Sequence, residues 1–280
     1  MDDHVSRDIY SPTEMREKAI LAGISKSKLP FGRLFLLSIL AGAYIAFGAI
    51  FSSVIALGMP GTWPYGIMKA LQGLAFSLGL ILVIIGGAEL FTGNNLMVIA
   101  WLDKKINSLA VFRNWGIVFL GNFLGSIVIA LLLILSRQYL VSNGDLGKSI
   151  VNLAILKTSY PFFTALVLGI LCNILVCLAV WLTYSGRTTS DKILAIIFPI
   201  SVFIAAGFEH SVANMYIIPA ALLLQDIDPV FTANTGLILD GLHWSSFLLK
   251  NLVPVTLGNI IGGALFVGFL YFFALKPSSK

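Results

Sequence analysis

The sequence predicts an all-α polytopic membrane protein with six transmembrane helices arranged as a 3+3 inverted repeat, the second and fifth of them broken. Three observations carry this. The 280 residues are 58% hydrophobic and only 11% charged, with a mean hydropathy of +0.94, whereas soluble domains carry about 25% charged residues. Apolar runs long enough to cross a bilayer, or halves that add up to one, recur between short polar connections. Motifs in the first half also return in the second at constant offsets.

Taken in order, residues 1–30 are hydrophilic and open with no apolar leader, so no cleavable signal is expected. Met15, Ala19 and Ala22 fall at helical spacing after Ser11-Pro12, which predicts a short amphipathic helix, solvated at the membrane surface. The first span is 34–57, closed by a turn over 58–64 that carries the interfacial Trp63. The second, 65–88, stops at Glu89-Leu90-Phe91-Thr92-Gly93-Asn94-Asn95, and a short apolar piece follows before Asp103-Lys104-Lys105. The third is 110–135. A polar stretch over 136–160 with Arg137, Lys148 and Lys157 reads as a loop, and 161–184 is the fourth span. The fifth is split: apolar 193–206 and 215–224 flank Gly207-Phe208-Glu209-His210-Ser211-Val212-Ala213-Asn214. Neither half crosses a bilayer alone. A loop with Asp226, Asp228 and Asp240 leads to the sixth span, 247–275. The chain is therefore one transmembrane domain over 1–280: an N-terminal cytoplasmic helix in 1–30, a first repeat over 31–136, an external loop over 137–160 and a second repeat over 161–275. Thirteen of the 18 lysines and arginines fall on the side of the N-terminus, which places both termini in the cytoplasm of a cell whose inner membrane the chain crosses.

The repeat is specific. Gly87-Ala88-Glu89 with Asn94 matches Gly207-Phe208-Glu209 with Asn214 at an offset of 120, and Asn114, Gly121-Asn122 and Gly125 match Asn251, Gly258-Asn259 and Gly262 at an offset of 137. Three spans per unit turn the second half upside down. Paired interruptions in inverted halves point to a transport site, because non-helical backbone at membrane depth survives only where protein buries it or water lines it. Glu89 and Glu209 are expected to accept backbone N–H groups exposed at the breaks, with Asn94 and Asn214 holding the loops beside them.

His210 is the histidine at membrane depth, His4 and His243 lying in polar segments. An imidazole there either ties two helices together by hydrogen bonds or titrates and donates to a small anion in transit. Thr92, Asn173 and Asn259 supply further polar handles, though each can instead satisfy backbone groups. Other chemistries lack their signatures. There is no Gly-x-Ser-x-Gly, His-Glu-x-x-His or phosphate loop, so no enzyme and no cofactor is expected. Cys172 and Cys177 sit inside one apolar span and suit packing, not a metal or a disulfide. The net charge of +5 is spread between apolar segments, as topology demands, and forms no nucleic-acid patch. An aquaporin-type water or glycerol pore would need paired Asn-Pro-Ala motifs, and proline follows asparagine nowhere in the chain.

The runs Gly207-Phe208-Glu209-His210-Ser211-Val212-Ala213-Asn214-Met215, Glu89-Leu90-Phe91-Thr92-Gly93, Asn173-Ile174-Leu175-Val176-Cys177-Leu178-Ala179-Val180-Trp181 and Val255-Thr256-Leu257-Gly258-Asn259 resemble the formate/nitrite transporter family, in the right order over nearly the whole chain. The resemblance implies an aquaporin-like fold, a homopentamer with a pore in each protomer, and passage of a small monovalent anion across the lipid bilayer, formate by the reading favoured here, with nitrite or hydrosulfide as the alternative. It places the family's pore histidine on His210, its loop threonine on Thr92 and its vestibule lysine on Lys157. It places the apolar constrictions on Phe76, Leu80, Leu90, Phe91, Val176 and Phe203. The loop over 221–246 departs from the formate members. A charge at the bilayer centre costs several kcal/mol, so the expected mechanism has Lys157 attract the anion at the external mouth. His210 then protonates it or bonds it strongly, giving proton-coupled movement at low pH and channel-like export near neutrality.

Overall fold

The computed structural model describes residues 8–276, and within them all regular structure is helical. Of the cations counted for orientation, Arg7 and Lys280 lie outside the described residues. Five helices are long and apolar enough to cross a membrane: α2 (Phe31–Ile55), α3 (Tyr65–Gly86), α5 (Ser108–Leu135), α7 (Phe162–Thr183) and α11 (Trp244–Ala274). The fifth predicted span is divided into α8 (Thr189–Ala205) and α9 (Ser211–Ile227), 17 residues each. The break after α3 is followed by a 3₁₀ turn, Gly93–Met97, and the short α4 (Val98–Leu102). Before the spans lies α1 (Pro12–Ser27), opened by a reciprocal capping box between Ser11 and Glu14. Helix α6 (Asp145–Ser159), between α5 and α7, and the short α10 (Pro229–Asn234) complete the set among the described residues.

Both breaks end a helix in the same way. Gly87 and Gly207 sit at φ +73° and +72°, left-handed conformations that disfavour any residue with a Cβ. The following N–H groups turn back, Ala88 to the Val83 carbonyl and Phe208 to the Phe203 carbonyl, the bonding of a Schellman stop. Packing is mirrored as well. α2 lies against α3 and α5, while α7 lies against α8 and α11. Gly125 faces the Ile39 carbonyl so closely that a Cβ would overlap it, and Gly262 does the same against the Ile170 carbonyl. These are the small-residue crossings that bring backbones together in lipid, and they explain why the offset of 137 carries glycines. α11 widens into π-helical turns over Phe247–Leu252, just before Pro254, which has no N–H for the ladder.

Two expectations are corrected here. The stretch 137–160 is not a loop: 15 of its residues form α6, with Leu146, Ile150, Val151 and Ala154 buried. Polar residues between these positions hid a helical stripe that packs on α9. Nor is α1 a solvated lead-in. It docks on α4 and the 3₁₀ turn, with Arg16 buried against Asp103 at 2.8 Å and stacked over Phe272. Each repeat therefore carries a leading helix, α1 for the first half and α6 for the second.

Candidate functional site

The two breaks are held by two near-identical polar clusters, assembled from the same residue types. In the second half, Glu209 Oε1 accepts from Lys157 Nζ of α6 at 2.6 Å, and Oε2 accepts from Asn214 Nδ2 at 2.7 Å and Asn251 Nδ2 at 3.0 Å. In the first, Glu89 Oε1 accepts from Lys26 Nζ of α1 at 2.8 Å and Oε2 from Asn94 Nδ2 at 2.7 Å. Asn94 and Asn214 also donate to Asn114 and Asn251 Oδ1, both at 2.8 Å. The carboxylates thus meet side chains, not the backbone N–H groups expected of them. Those N–H groups are accepted elsewhere: Phe91 N–H by Asn122 Oδ1 and Ser211 N–H by Asn259 Oδ1, each at 2.9 Å. A buried polar group costs free energy unless paired, and an unwound segment in a membrane exposes several at once. At each break one such N–H is met by an asparagine, Asn122 or Asn259, and another by a neighbouring helix, Glu89 N–H donating to the Leu37 carbonyl at 3.2 Å and Glu209 N–H to the Leu168 carbonyl at 3.3 Å.

Three predicted handles are thereby placed. Asn259 spends its amide on the Gly169 and Glu209 carbonyls at 2.8 and 3.0 Å, as Asn122 does on those of Ser38 and Glu89. Asn173 donates to Asn259 O, Asn95 Oδ1 and Thr92 O at 2.6, 2.9 and 3.3 Å. Lys157 is buried and paired with Glu209, not free at a mouth. Lys26, Asn114 and Asn251 are partners that sequence reasoning did not assign. The offset of 131 between Lys26 and Lys157 was the available signal for the first, and the recurring Asn114 and Asn251 for the others.

What the symmetry does not repeat is His210, whose counterpart at the offset of 120 is Leu90. His210 is 2% exposed and caps α9: its Nδ1 accepts the Ala213 N–H at 3.0 Å. A backbone amide can only donate, so Nδ1 bears no proton and the hydrogen of the neutral ring is on Nε2. That N–H donates to Thr92 Oγ1 at 2.9 Å, across from one break to the other. The Thr92 hydroxyl hydrogen is left to donate onward.

Two cavities approach this pair. One, of about 500 Å³, lies among the starts of α3 and α7 and reaches Lys157, Glu209 and His210, with Phe76 and Phe203 in its wall. The other, about 250 Å³, lies at the far ends of the same helices and reaches Lys26, Glu89, Leu80 and Leu90. Phe76 and Phe203 meet edge to face at 5.4 Å between centroids, and Phe203 stacks on His210 at 5.8 Å. Phe91 instead turns edge-on to Trp115 and Phe119 of α5, and neither it nor Val176, also buried, is in the wall of either cavity. Among the described residues no three His, Cys, Asp or Glu side chains gather as metal ligands. The arrangement can dehydrate a small solute between aromatic and aliphatic walls while offering it a hydroxyl donor.

Comparison with known proteins gives one consistent answer. The profile of the formate/nitrite transporter family matches residues 13–273. The chain is 40% identical over 268 residues to the formate channel FocA of Escherichia coli K12, covering 94% of both chains. It is 42% identical over 248 residues to FocA of Haemophilus influenzae, covering 86% of both. It superposes on a solved pentameric formate channel with formate bound at a TM-score of 0.79 and 40% identity, covering 87% of this chain and 97% of that one.

Proposed function

The chain belongs to the formate/nitrite transporter family, and from that premise we propose that it is a formate channel of the cytoplasmic membrane, a homopentamer with one pore per protomer. α8 and α9 together make the sixth crossing, and the charge bias turns the Lys157 cavity outward and the Lys26 cavity toward the cytoplasm. The observation that carries this reading is the buried His210–Thr92 pair between Phe76 and Phe203 on one side and Leu80 and Leu90 on the other.

The hydrogen bonds narrow the role of the histidine. With Nδ1 committed to Ala213 N–H, donating the Nε2 proton outright would leave an imidazolate in an apolar pocket, which is prohibitive. His210 therefore polarises Thr92, whose hydroxyl donates a hydrogen bond to the solute at the narrowest, driest point. The proton that neutralises formate is taken up in the aqueous cavity, so formic acid crosses the dry section. Flux then rises as pH falls, because the acid fraction grows about tenfold per pH unit above the carboxyl pKa. Purified protein in proteoliposomes tests this over pH 5 to 7.5, the span around the ordinary histidine range. The wild type should move formate ahead of nitrite and hydrosulfide. Thr92→Val should cut formate flux up to about tenfold, the order expected for loss of one hydrogen bond, and His210→Asn should weaken it comparably. Undiminished flux in Thr92→Val would remove the relay, and preference for nitrite or hydrosulfide would reassign the cargo.

A further inference from the structure

Each cavity is lined by two lysines and one glutamate: Lys157, Glu209 and Lys69 in one, Lys26, Glu89 and Lys192 in the other. In each set the glutamate is already taken. Lys157 holds Glu209 at 2.6 Å and Lys26 holds Glu89 at 2.8 Å, so each pair contributes a dipole and no net charge. The third member is different. Neither Lys69 nor Lys192 has a carboxylate within 4 Å among the described residues. Lys69 rests 5.6 Å from the Tyr65 ring, and both lysines are partly buried yet open to the cavity they line. Their places in the fold correspond. Lys69 lies in the first turns of α3 and Lys192 in the first turn of α8, the two helices that end at the breaks. The residue at the repeat offset from Lys192 is Gln72, one turn from Lys69 and in the wall of the same cavity.

We propose that Lys69 and Lys192 form an outer anion-attracting site in each cavity and set the rate at which a small monovalent anion is captured, the paired Lys157 and Lys26 serving to hold the breaks. This rests on the channel reading above and names the residues that feed it. The physical reason is net charge. A compact ammonium in a low-dielectric funnel concentrates monovalent anions, and a lysine whose charge is cancelled at hydrogen-bond distance does so far less. A lysine that merely snorkels to lipid headgroups would face outward, whereas these two line the cavities.

Initial formate flux into proteoliposomes, below saturation, separates the alternatives. Lys69→Gln and Lys192→Gln should each lower flux about 3–10-fold in low salt, and the deficit should shrink to under about twofold in 0.5 M of an impermeant salt, where charge is screened within a few ångströms. Saturating flux should change by less than about twofold, and Lys69→Arg and Lys192→Arg should behave as wild type. Lys69→Cys gives a second handle, since the native Cys172 and Cys177 are buried. A cationic thiosulfonate reagent should restore its flux and an anionic one should not. A deficit that persists in high salt, or that arginine and the cationic reagent fail to rescue, would make the lysines structural and overturn the assignment. Failure of the wild type to move formate would defeat the channel reading instead. Wild-type flux with unaltered glutamine variants would defeat the lysine assignment alone.

Discussion

Replacing Glu209 by alanine should destabilise the protein far more than replacing Glu89, although the two residues hold equivalent breaks. Glu209 accepts from Lys157, Asn214 and Asn251, and its side chain is 1% exposed with Lys157 at 10%. Its removal leaves an ammonium that is nine-tenths buried without its carboxylate, and breaking a buried pair from one side costs about 3–5 kcal/mol. The two amides add little, because Asn214 keeps Asn251 Oδ1 and Asn251 keeps the Lys157 carbonyl. At the mirror site the Lys26 side chain is 26% exposed and can swing into water, so Glu89→Ala should cost about 1–2 kcal/mol. With about 2–4 °C per kcal/mol for a chain of this size, the midpoint of thermal unfolding in detergent should fall by roughly 10 °C for Glu209→Ala and by less than half that for Glu89→Ala. Both are compared at one scan rate, because the midpoint of an irreversible unfolding scan depends on it. The double variant Glu209→Leu with Lys157→Met should recover at least half of the loss, because no charge is then stranded. Equal losses at the two glutamates, or a double variant no better than Glu209→Ala, would refute burial as the origin of the cost.

Two further outcomes follow from local geometry. Gly207→Ala forces a Cβ into a left-handed conformation, and its open surroundings isolate that strain at about 1–2 kcal/mol, a fall of several degrees in the same unfolding assay; no change would mean the break relaxes freely. At the C-terminal end of α9, the Phe231 backbone N–H and then the Tyr139 hydroxyl hold the Asp228 carboxyl below its usual range. A depressed folded-state value means the contribution is present above the ordinary aspartate range, about 4, and disappears as pH falls through the lowered value. Unfolding midpoints of wild type and Asp228→Ala should therefore differ by a constant amount from pH 5 to 7.5 and converge in stronger acid; a gap that persists there would exclude the carboxylate as its source.

Spans, breaks and symmetry were legible because each is local or periodic. Apolar length reports transfer into lipid residue by residue, Gly87 and Gly207 report a backbone conformation, and constant offsets report a repeated unit. α6 escaped because its stripe of four buried hydrophobic residues, Leu146, Ile150, Val151 and Ala154, is diluted by polar ones that composition weighs equally. The partners of the buried charges were not legible at all. Lys26 meets a glutamate 63 residues away and Lys157 one 52 residues away, while Lys69 and Lys192, identical as letters, meet none within 4 Å among the described residues. Whether a lysine is a strut or a free charge depends on a carboxylate lying within hydrogen-bond reach, a distance set only when helices pack. The same holds for His210: sequence singled it out by its lack of a counterpart, but its tautomer was decided by the Ala213 N–H that the folded break aims at Nδ1.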